Sequence, residues 1–179
     1  DDGYQTAAGV VNTGDGSFYV QTDMTYDYYR WSAGIRFPGV TIPRGAGIAS
    51  AKLQLYNWDG SQDDIAAVVC GDDTDDAADV ATDGVIYRPR TTATVAWVNG
   101  ALGGGWVDSP DISAVVQEIV DRSGWTSGNA MAILLIQNGT LYGHRADFAA
   151  RDSYAGQYAP RLIVEWVPPC VAGEEALTA

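Results

Sequence analysis

The chain has 179 residues, enough for one domain that buries its own core without disulfide or metal support. Hydrophobic residues make up 46% and include 6 Trp and 10 Tyr, which excludes an intrinsically disordered chain. Its 23 acidic and 10 basic residues give a formal charge of −13, so we expect no nucleic-acid partner and no attraction to anionic membranes.

The first segment, residues 1–30, is polar and rich in Gly, Asp and Thr. It contains two short strand candidates at residues 9–12 and 17–21. We predict an N-terminal extension over residues 1–30, a β-sandwich domain over residues 31–167 and a C-terminal tail over residues 168–179. The tail begins at Pro168 and Pro169, and a double proline does not continue a central strand.

Residues 46–58 carry the clearest pattern in the chain. Apolar residues occupy every second position from Ala51 to Leu55, with Lys52 and Gln54 between them and Tyr56 following. This period-two alternation predicts a strand with one face in a core and one face in water. Further strand candidates are residues 32–37, 65–71, 84–87, 92–98, 130–137, 141–148 and 161–167. We therefore predict an all-β, antiparallel protein.

One helix is predicted over about residues 110–122. Ser109, Pro110 and Asp111 resemble a helix start, and Gly124 marks its end. Apolar residues at helical spacing form one stripe, so this short amphipathic helix is expected to close one end of the sandwich.

Several segments, taken in order, resemble a known family. They are residues 33–37, 42–46, 50–55, 71–77, 95–97, 111–120, 131–136 and 159–164. Together they are similar to DNRLRE domains, which are secreted jelly-roll β-sandwich modules that resemble carbohydrate-binding modules. The resemblance spans roughly residues 30–167. It implies an antiparallel jelly-roll sandwich, found in bacterial surface proteins and polysaccharide-related enzymes, whose relatives also form extracellular fibres by lending a strand.

Catalytic residues are not indicated by any motif. The chain has one histidine, His144, and no Gly-x-Ser-x-Gly sequence around a nucleophilic serine. We therefore expect a protein that is not an enzyme.

Clustered acids indicate a candidate calcium site, because Ca²⁺ prefers carboxylate and carbonyl oxygens. Five carboxylates fall within eight positions, namely Asp72, Asp73, Asp75, Asp76 and Asp79. The alternative is a solvated turn in which aspartates cap a short helical piece near residues 76–80. A second candidate cluster comprises Asp59, Asp63 and Asp64.

A group of aromatic residues before the first core strand forms a candidate carbohydrate platform. It comprises Tyr26, Tyr28, Tyr29 and Trp31. Planar rings stack on sugars, although the same residues are also suited to packing in a core. The other large aromatics, Trp97, Trp106, Trp125 and Trp166, are expected in the core.

Two cysteines, Cys70 and Cys170, are a candidate disulfide, and the alternative is two separate thiols. Asn138, in Asn-Gly-Thr, is the candidate N-glycosylation site.

Two functions are predicted from different classes. In the first, the chain is a non-enzymatic subunit of an extracellular filament, which polymerises by donating an N-terminal strand to a neighbouring sandwich. The candidate assembly strand contains Val10, Val11, Phe18, Tyr19 and Val20. The alternative is a carbohydrate-binding module that recognises extracellular polysaccharide through aromatic or calcium-organised loops.

The expected location is extracellular. Residues 1–3, Asp-Asp-Gly, resemble the start of a mature product after signal-peptide removal. No apolar stretch approaches the roughly 18 residues that a membrane helix needs, so membrane insertion is not expected.

Overall fold

The computed structural model describes residues 2–7, 9–14, 16–22, 30–58, 65–99, 102–138 and 144–169. The predicted all-β, antiparallel fold is confirmed. The strands of the described residues are β1 Asp2–Thr6, β2 Val11–Asn12, β3 Ser17–Thr22, β4 Arg30–Phe37, β5 Gly47–Asn57, β6 Ile65–Gly71, β7 Val95–Asn99, β8 Gly105–Asp108, β9 Met131–Gln137, β10 His144–Ala149 and β11 Arg161–Val167. The helices are α1 Val80–Asp83 and α2 Ser113–Val120.

The strands pack as two antiparallel layers joined by short ladders. Hydrogen-bonded neighbours follow the order β11-β5-β10-β3-β4-β9-β6-β7, with β8 added beside β5 and β1 beside β4. Among the described residues, β10 and β5 share the single register pair Phe148 and Asn57, next to which the N–H of Trp58 donates to the carbonyl oxygen of Asp147. Trp97 of β7 stacks on Phe148 of β10 at a centroid distance of 6.2 Å, so these two strands face each other across the core. The jelly-roll connectivity stays a prediction.

Alternation along β5 places the core. Ala51, Leu53 and Leu55 are buried, whereas Lys52 and Gln54, which lie between them, are partly exposed. Burying an aliphatic side chain stabilises a fold by roughly 1.5–3 kcal/mol, so the register of this strand is strongly specified.

The candidate donor segment lies in the chain's own sheet. β1 pairs with β4 along its whole length, and β3 lies between β10 and β4. Phe18 and Val20 are buried in the core, Tyr19 and Val11 are half-buried, and Val10 is exposed. The sheet therefore starts before the predicted boundary at residue 31. Exchange of this segment between copies stays a prediction.

The predicted helix is present as α2, but it is shorter than residues 110–122 and begins differently. Its N-cap is Ile112, and Asp121 rather than Gly124 follows its last turn. Asp111 accepts hydrogen bonds from the backbone N–H groups of Ser113 and Ala51. Ser109 does not cap the helix, because its hydroxyl accepts the N–H of Leu53 instead. These bonds tie the helix entrance to β5.

Two predicted elements differ in the structure. Residues 84–87, predicted as a strand, form a turn that begins at Gly84, where φ is 67°. No predicted strand covers β8, which begins at Gly105, and Trp106 of this strand pairs with Tyr56 of β5. The short helical piece expected near residues 76–80 lies later in the chain: residues 76–79 are not helical, and α1 begins at Val80.

The Asp-rich loop is held by a buried ion pair. Arg88 Nη1 donates to Asp72 Oδ2 at 2.5 Å, and both side chains are 2% exposed. The remaining nitrogens of Arg88 donate to the carbonyl oxygens of Gly84, Ala78 and Asp79. A buried charge is tolerated only when it is paired in this way.

We predict that Arg88→Ala lowers the free energy of unfolding by about 3–5 kcal/mol, because it leaves Asp72 buried without its countercharge. Arg90→Ala is the matched control, since Arg90 is exposed, and its loss should stay within about 0.5 kcal/mol. Urea unfolding of both variants measures the difference. Equal losses would contradict a dominant role for the buried pair.

Candidate functional site

The outward side of the sheet carries a cluster of exposed and half-exposed aromatic rings, here called the aromatic surface. It consists of Tyr56, Trp58, Trp106, Tyr154 and Tyr158. Tyr154 is 71% exposed and Trp106 is 36% exposed. Exposed aromatic clusters of this kind mark binding surfaces in soluble proteins.

Strand geometry explains why three of these rings meet. Tyr56 and Trp58 lie two positions apart, so they share the face of β5 opposite to the core. Trp106 of β8 is the register partner of Tyr56, and their ring centroids lie 5.5 Å apart at an interplanar angle of 83°. Cross-strand aromatic pairs of this type stabilise a sheet.

Tyr158 and Tyr154 complete the cluster from the segment between β10 and β11. The Tyr158 ring lies 4.1 Å from the Tyr56 ring at an angle of 30°. Tyr154 lies 5.3 Å from Trp58 and 5.8 Å from Tyr158. Each ring therefore supports its neighbours, and the surface is organised before any ligand binds.

The turn that presents Tyr154 has strained backbone. Tyr154 and Ala155 have φ values of 48° and 55°, in the left-handed region that residues with a Cβ rarely adopt. Such a conformation costs about 1–2 kcal/mol per residue. Strain of this kind persists only where the surroundings fix it, and it concentrates at ligand-binding positions.

The N-terminal segment holds this turn in place. Asp2 Oδ2 accepts the backbone N–H of Arg151 at 2.8 Å, and the N–H of Ala150 donates to the carbonyl oxygen of Gly16. Asp2 is buried at the side of an open cavity of about 630 Å³ that Asp152 also lines. Burial raises the pKa of the Asp2 carboxyl above its ordinary value.

Polar side chains continue the outward face beyond the aromatic surface. We call Lys52, Gln54, Asp108 and Arg161 the polar row. The guanidinium carbon of Arg161 lies 3.9 Å from the centre of the Trp106 ring, which is a cation–π contact. A hydrogen bond from the Lys52 ammonium holds the pKa of the exposed Asp108 carboxyl below its usual range.

The candidate calcium ligands are bound to donors of the chain itself. Arg122 pairs with both Asp73 and Asp75. Asp76 accepts the N–H of Ala130, and Asp79 accepts the N–H of Ala81 and caps α1. Several of these carboxylates thus cap or pair, as the alternative interpretation of a capping turn expected.

Asp72 is the one buried carboxylate among them. Burial raises its pKa, against the opposing effect of Arg88, and its Oδ1 has no hydrogen-bond partner in the structure. Among the described residues, no three His, Cys, Asp or Glu side chains are grouped as metal ligands. A calcium ion would have to displace existing bonds, so its binding stays a prediction. Asp59, Asp63 and Asp64 lie outside the described residues.

The candidate platform before β4 differs from the aromatic surface. Tyr26, Tyr28 and Tyr29 lie outside the described residues. Trp31 packs on Tyr4 and Tyr19, with ring centroids 5.3 Å and 5.2 Å away. It therefore contributes to a cluster beside the core, which is the alternative that the sequence left open.

Four tryptophans were expected in the core, and two of them are there. Trp97 and Trp125 are 2% exposed, whereas Trp106 and Trp166 are 36% and 38% exposed. The prediction is wrong for Trp106 and Trp166, because they point outward from strands at the margin of the sheet. An outward-facing Tyr56 was visible in the alternation of β5, but its partners from β8 and from residues 154–158 were not.

The remaining candidate residues stay predictions. Cys70 is buried in β6, and burial raises the pKa of its thiol to about 11. Cys170 lies outside the described residues, as do the two residues after Asn138 and the side chain of His144.

The fold and this surface together define an all-β antiparallel protein that carries an exposed cluster of mutually packed aromatic rings. Comparison of the chain with protein-family models and with curated proteins gives no match. In the described part of the chain, neither helix has the length and apolar character required to cross a membrane.

We predict that replacing Asp2 by Asn (Asp2→Asn) stabilises the fold more at pH 7 than at pH 3, relative to the native chain at the same pH. A raised carboxyl pKa means that the folded chain binds the proton more tightly, so native stability falls as pH rises through the ordinary pKa toward the folded one. Asn retains an acceptor for Arg151 without the charge.

Melting temperatures of both proteins across this pH range provide the measurement, with Asp152→Asn as the exposed-carboxylate control in the same cavity. A difference that is constant from pH 3 to pH 7 would show that the buried charge is not the cause.

Proposed function

We propose that this protein binds carbohydrate without catalysing a reaction, and that the aromatic surface is its binding site. The observation that supports this proposal is the convergence of five aromatic rings from three separate parts of the chain on one exposed face. Fixed rings bind the apolar C–H faces of sugars, because they offer a flat, weakly hydrated surface at low entropic cost.

The polar groups beside the rings suit the same ligand. Lys52, Gln54, Asp108 and Arg161 place donors and acceptors next to Trp106 and Tyr56. Sugar hydroxyls need both kinds of partner, and a few well-placed polar groups beside aromatic rings provide orientation and specificity. The resemblance to DNRLRE modules, which are similar to carbohydrate-binding modules, is consistent with this function and with an extracellular location.

Aromatic rings and Arg are also common at protein–protein interfaces, so the ligand class needs a direct test. We predict that Trp106→Ala weakens retention by polysaccharide at least about tenfold, which corresponds to about 1.4 kcal/mol. Tyr154→Ala should weaken it in the same direction. Affinity electrophoresis through gels that contain hydroxyethyl cellulose, arabinoxylan or glucomannan measures retention.

Tyr87→Ala is the matched control, since Tyr87 is 77% exposed and is not part of the aromatic surface. It should migrate as the native chain does. Retention that is unchanged in Trp106→Ala, or that is lost equally in Tyr87→Ala, would contradict the proposed site.

A second candidate function is that of a filament subunit, and the edge strand β11 favours it. Among the described strands, β11 pairs with β5 alone. Its residues Ile163, Trp166 and Val167 are exposed, and it contains no Lys or Pro that would discourage pairing. A strand from the N-terminal segment of another copy could add to this edge after leaving β4 of its own chain.

For this second function, we predict that the native chain forms filaments visible by negative-stain microscopy and that Trp166→Lys prevents them. A charge on the open edge disfavours strand addition. Tyr87→Lys serves as the control with the same new charge elsewhere. A native chain that elutes as a monomer at high concentration, or filaments that persist in Trp166→Lys, would exclude assembly through β11.

A further inference from the structure

The aromatic surface is one end of a longer outward face. The side chains of Ser50, Lys52, Gln54 and Tyr56 along β5, and of Trp58 directly after it, lie on the side opposite to the core. From Ser50 to Trp58 the strand advances about 26 Å, at about 3.3 Å per residue. An extended ligand could therefore contact this face over several successive units.

The middle of this face is a continuous hydrogen-bonded row. Lys52 Nζ donates to Asp108 Oδ2 at 2.5 Å, and Gln54 Nε2 donates to Asp108 Oδ1 at 3.0 Å. Arg161 Nη1 donates to the side-chain oxygen of Gln54 at 3.0 Å. These side chains are part-exposed, so they retain further donor and acceptor capacity for a ligand.

The end of the face that is remote from the rings is a groove. It has a volume of about 300 Å³ and is lined by Ser50, Lys52, Asp111, Ile163 and Glu165, among others. We call it the polar groove. The Ser50 hydroxyl donates to Glu165 Oε2 at 3.1 Å across it. Ile163, the register partner of Lys52, supplies an exposed apolar contact.

The charges on this face argue against a polyanionic ligand. Lys52 is paired with Asp108, and the Arg161 guanidinium is covered on one side by Trp106. Glu165 and Asp111 add negative charge in the groove, and the whole chain has a net charge of −13. A sulfated or uronic-acid polymer would be repelled, whereas a polyhydroxyl chain without charge would not.

We propose that the outward face of β5 binds an internal stretch of an uncharged polysaccharide, which lies along the strand from the aromatic surface to the polar groove. This inference rests on the proposed carbohydrate-binding function and deepens it. The rings hold one end of the bound stretch, and the polar row and the polar groove hold the units that follow. The open course of the face suits the middle of a chain rather than its terminus.

The first test is a length series. Titration calorimetry with the disaccharide and the hexasaccharide of whichever neutral polysaccharide retards the protein compares their affinities. The hexasaccharide should bind the native protein at least about tenfold more tightly than the disaccharide does, because only the hexasaccharide reaches the polar groove. The double variant Lys52→Ala/Glu165→Ala should lose most of that advantage, so that its affinities for the two lengths become similar.

The control is Asp83→Ala/Arg90→Ala, which also removes one acid and one base from exposed positions but lies outside this face. It should retain the full advantage of the hexasaccharide. Equal affinities of the native protein for the two lengths would overturn the extended site. So would a hexasaccharide advantage in Lys52→Ala/Glu165→Ala that is as large as in the native protein. Neither result would contradict Trp106-dependent sugar binding.

The second test concerns charge. Gels that contain alginate or polygalacturonate should retard the native protein less than neutral gels at the same ionic strength. Stronger retention by the polyanions would overturn the assignment to uncharged chains. Failure of every neutral glycan to retard the native protein would overturn both this inference and the proposed function.

Discussion

The register of β5 is the constraint on which the rest of the structure depends. Its inward side chains, including Leu53 and Leu55, fill the core, and its outward side chains form the proposed binding face. A shift of one residue would bury Tyr56 and expose Leu55, so packing of the core also fixes the surface. Pairing with two strands fixes this register: β11 pairs with residues 47–54, and β8 pairs with residues 54–57. Ser109 and Asp111, in the loop before α2, also accept backbone N–H groups of β5. Preorganisation of this kind reduces the entropic cost of binding.

Much of the fold could be predicted from local pattern, because β5, β9, β11 and α2 each show their periodicity within one segment. The turn at residues 84–87 could not be predicted in this way. It contains the apolar residues Val85 and Ile86, but their backbone N–H groups donate to the side-chain oxygen of Gln5, which is about eighty positions away. Of the aromatic surface, the sequence predicted only that Tyr56 faces away from the core. Trp106 joins this surface because its strand pairs with β5, about fifty positions away. Tyr154 joins it through a turn in which Tyr154 and Ala155 adopt left-handed backbone, a conformation that neither residue type favours.

The bonding of the acidic loop also could not be predicted from its local sequence. Its five carboxylates are conspicuous in the sequence, but their partners are distant: Arg122 lies 49 positions from Asp73, and Arg88 lies 16 positions from Asp72. Part of the large negative charge is therefore offset inside the fold by pairing and capping. The pairing of the N-terminal segment could not be predicted from its local sequence either. Its sequence resembles that of an edge strand, yet β1 pairs with β4 of the same chain. Asp2 also supports the turn that presents Tyr154.

The proposed function requires a strand register that the core fixes and outward rings that contact a sugar. Fluorine NMR of the protein labelled with 5-fluorotryptophan tests this most directly, because its six tryptophans sample both sides of the sheet. Resonances are assigned by single Trp→Phe variants, and the hexasaccharide of a retained neutral glycan is then added. We expect the signals of Trp58 and Trp106 to shift on titration while those of the buried Trp97 and Trp125 do not. Shifts confined to Trp166, or no shift at Trp58 and Trp106 under saturating glycan, would contradict it.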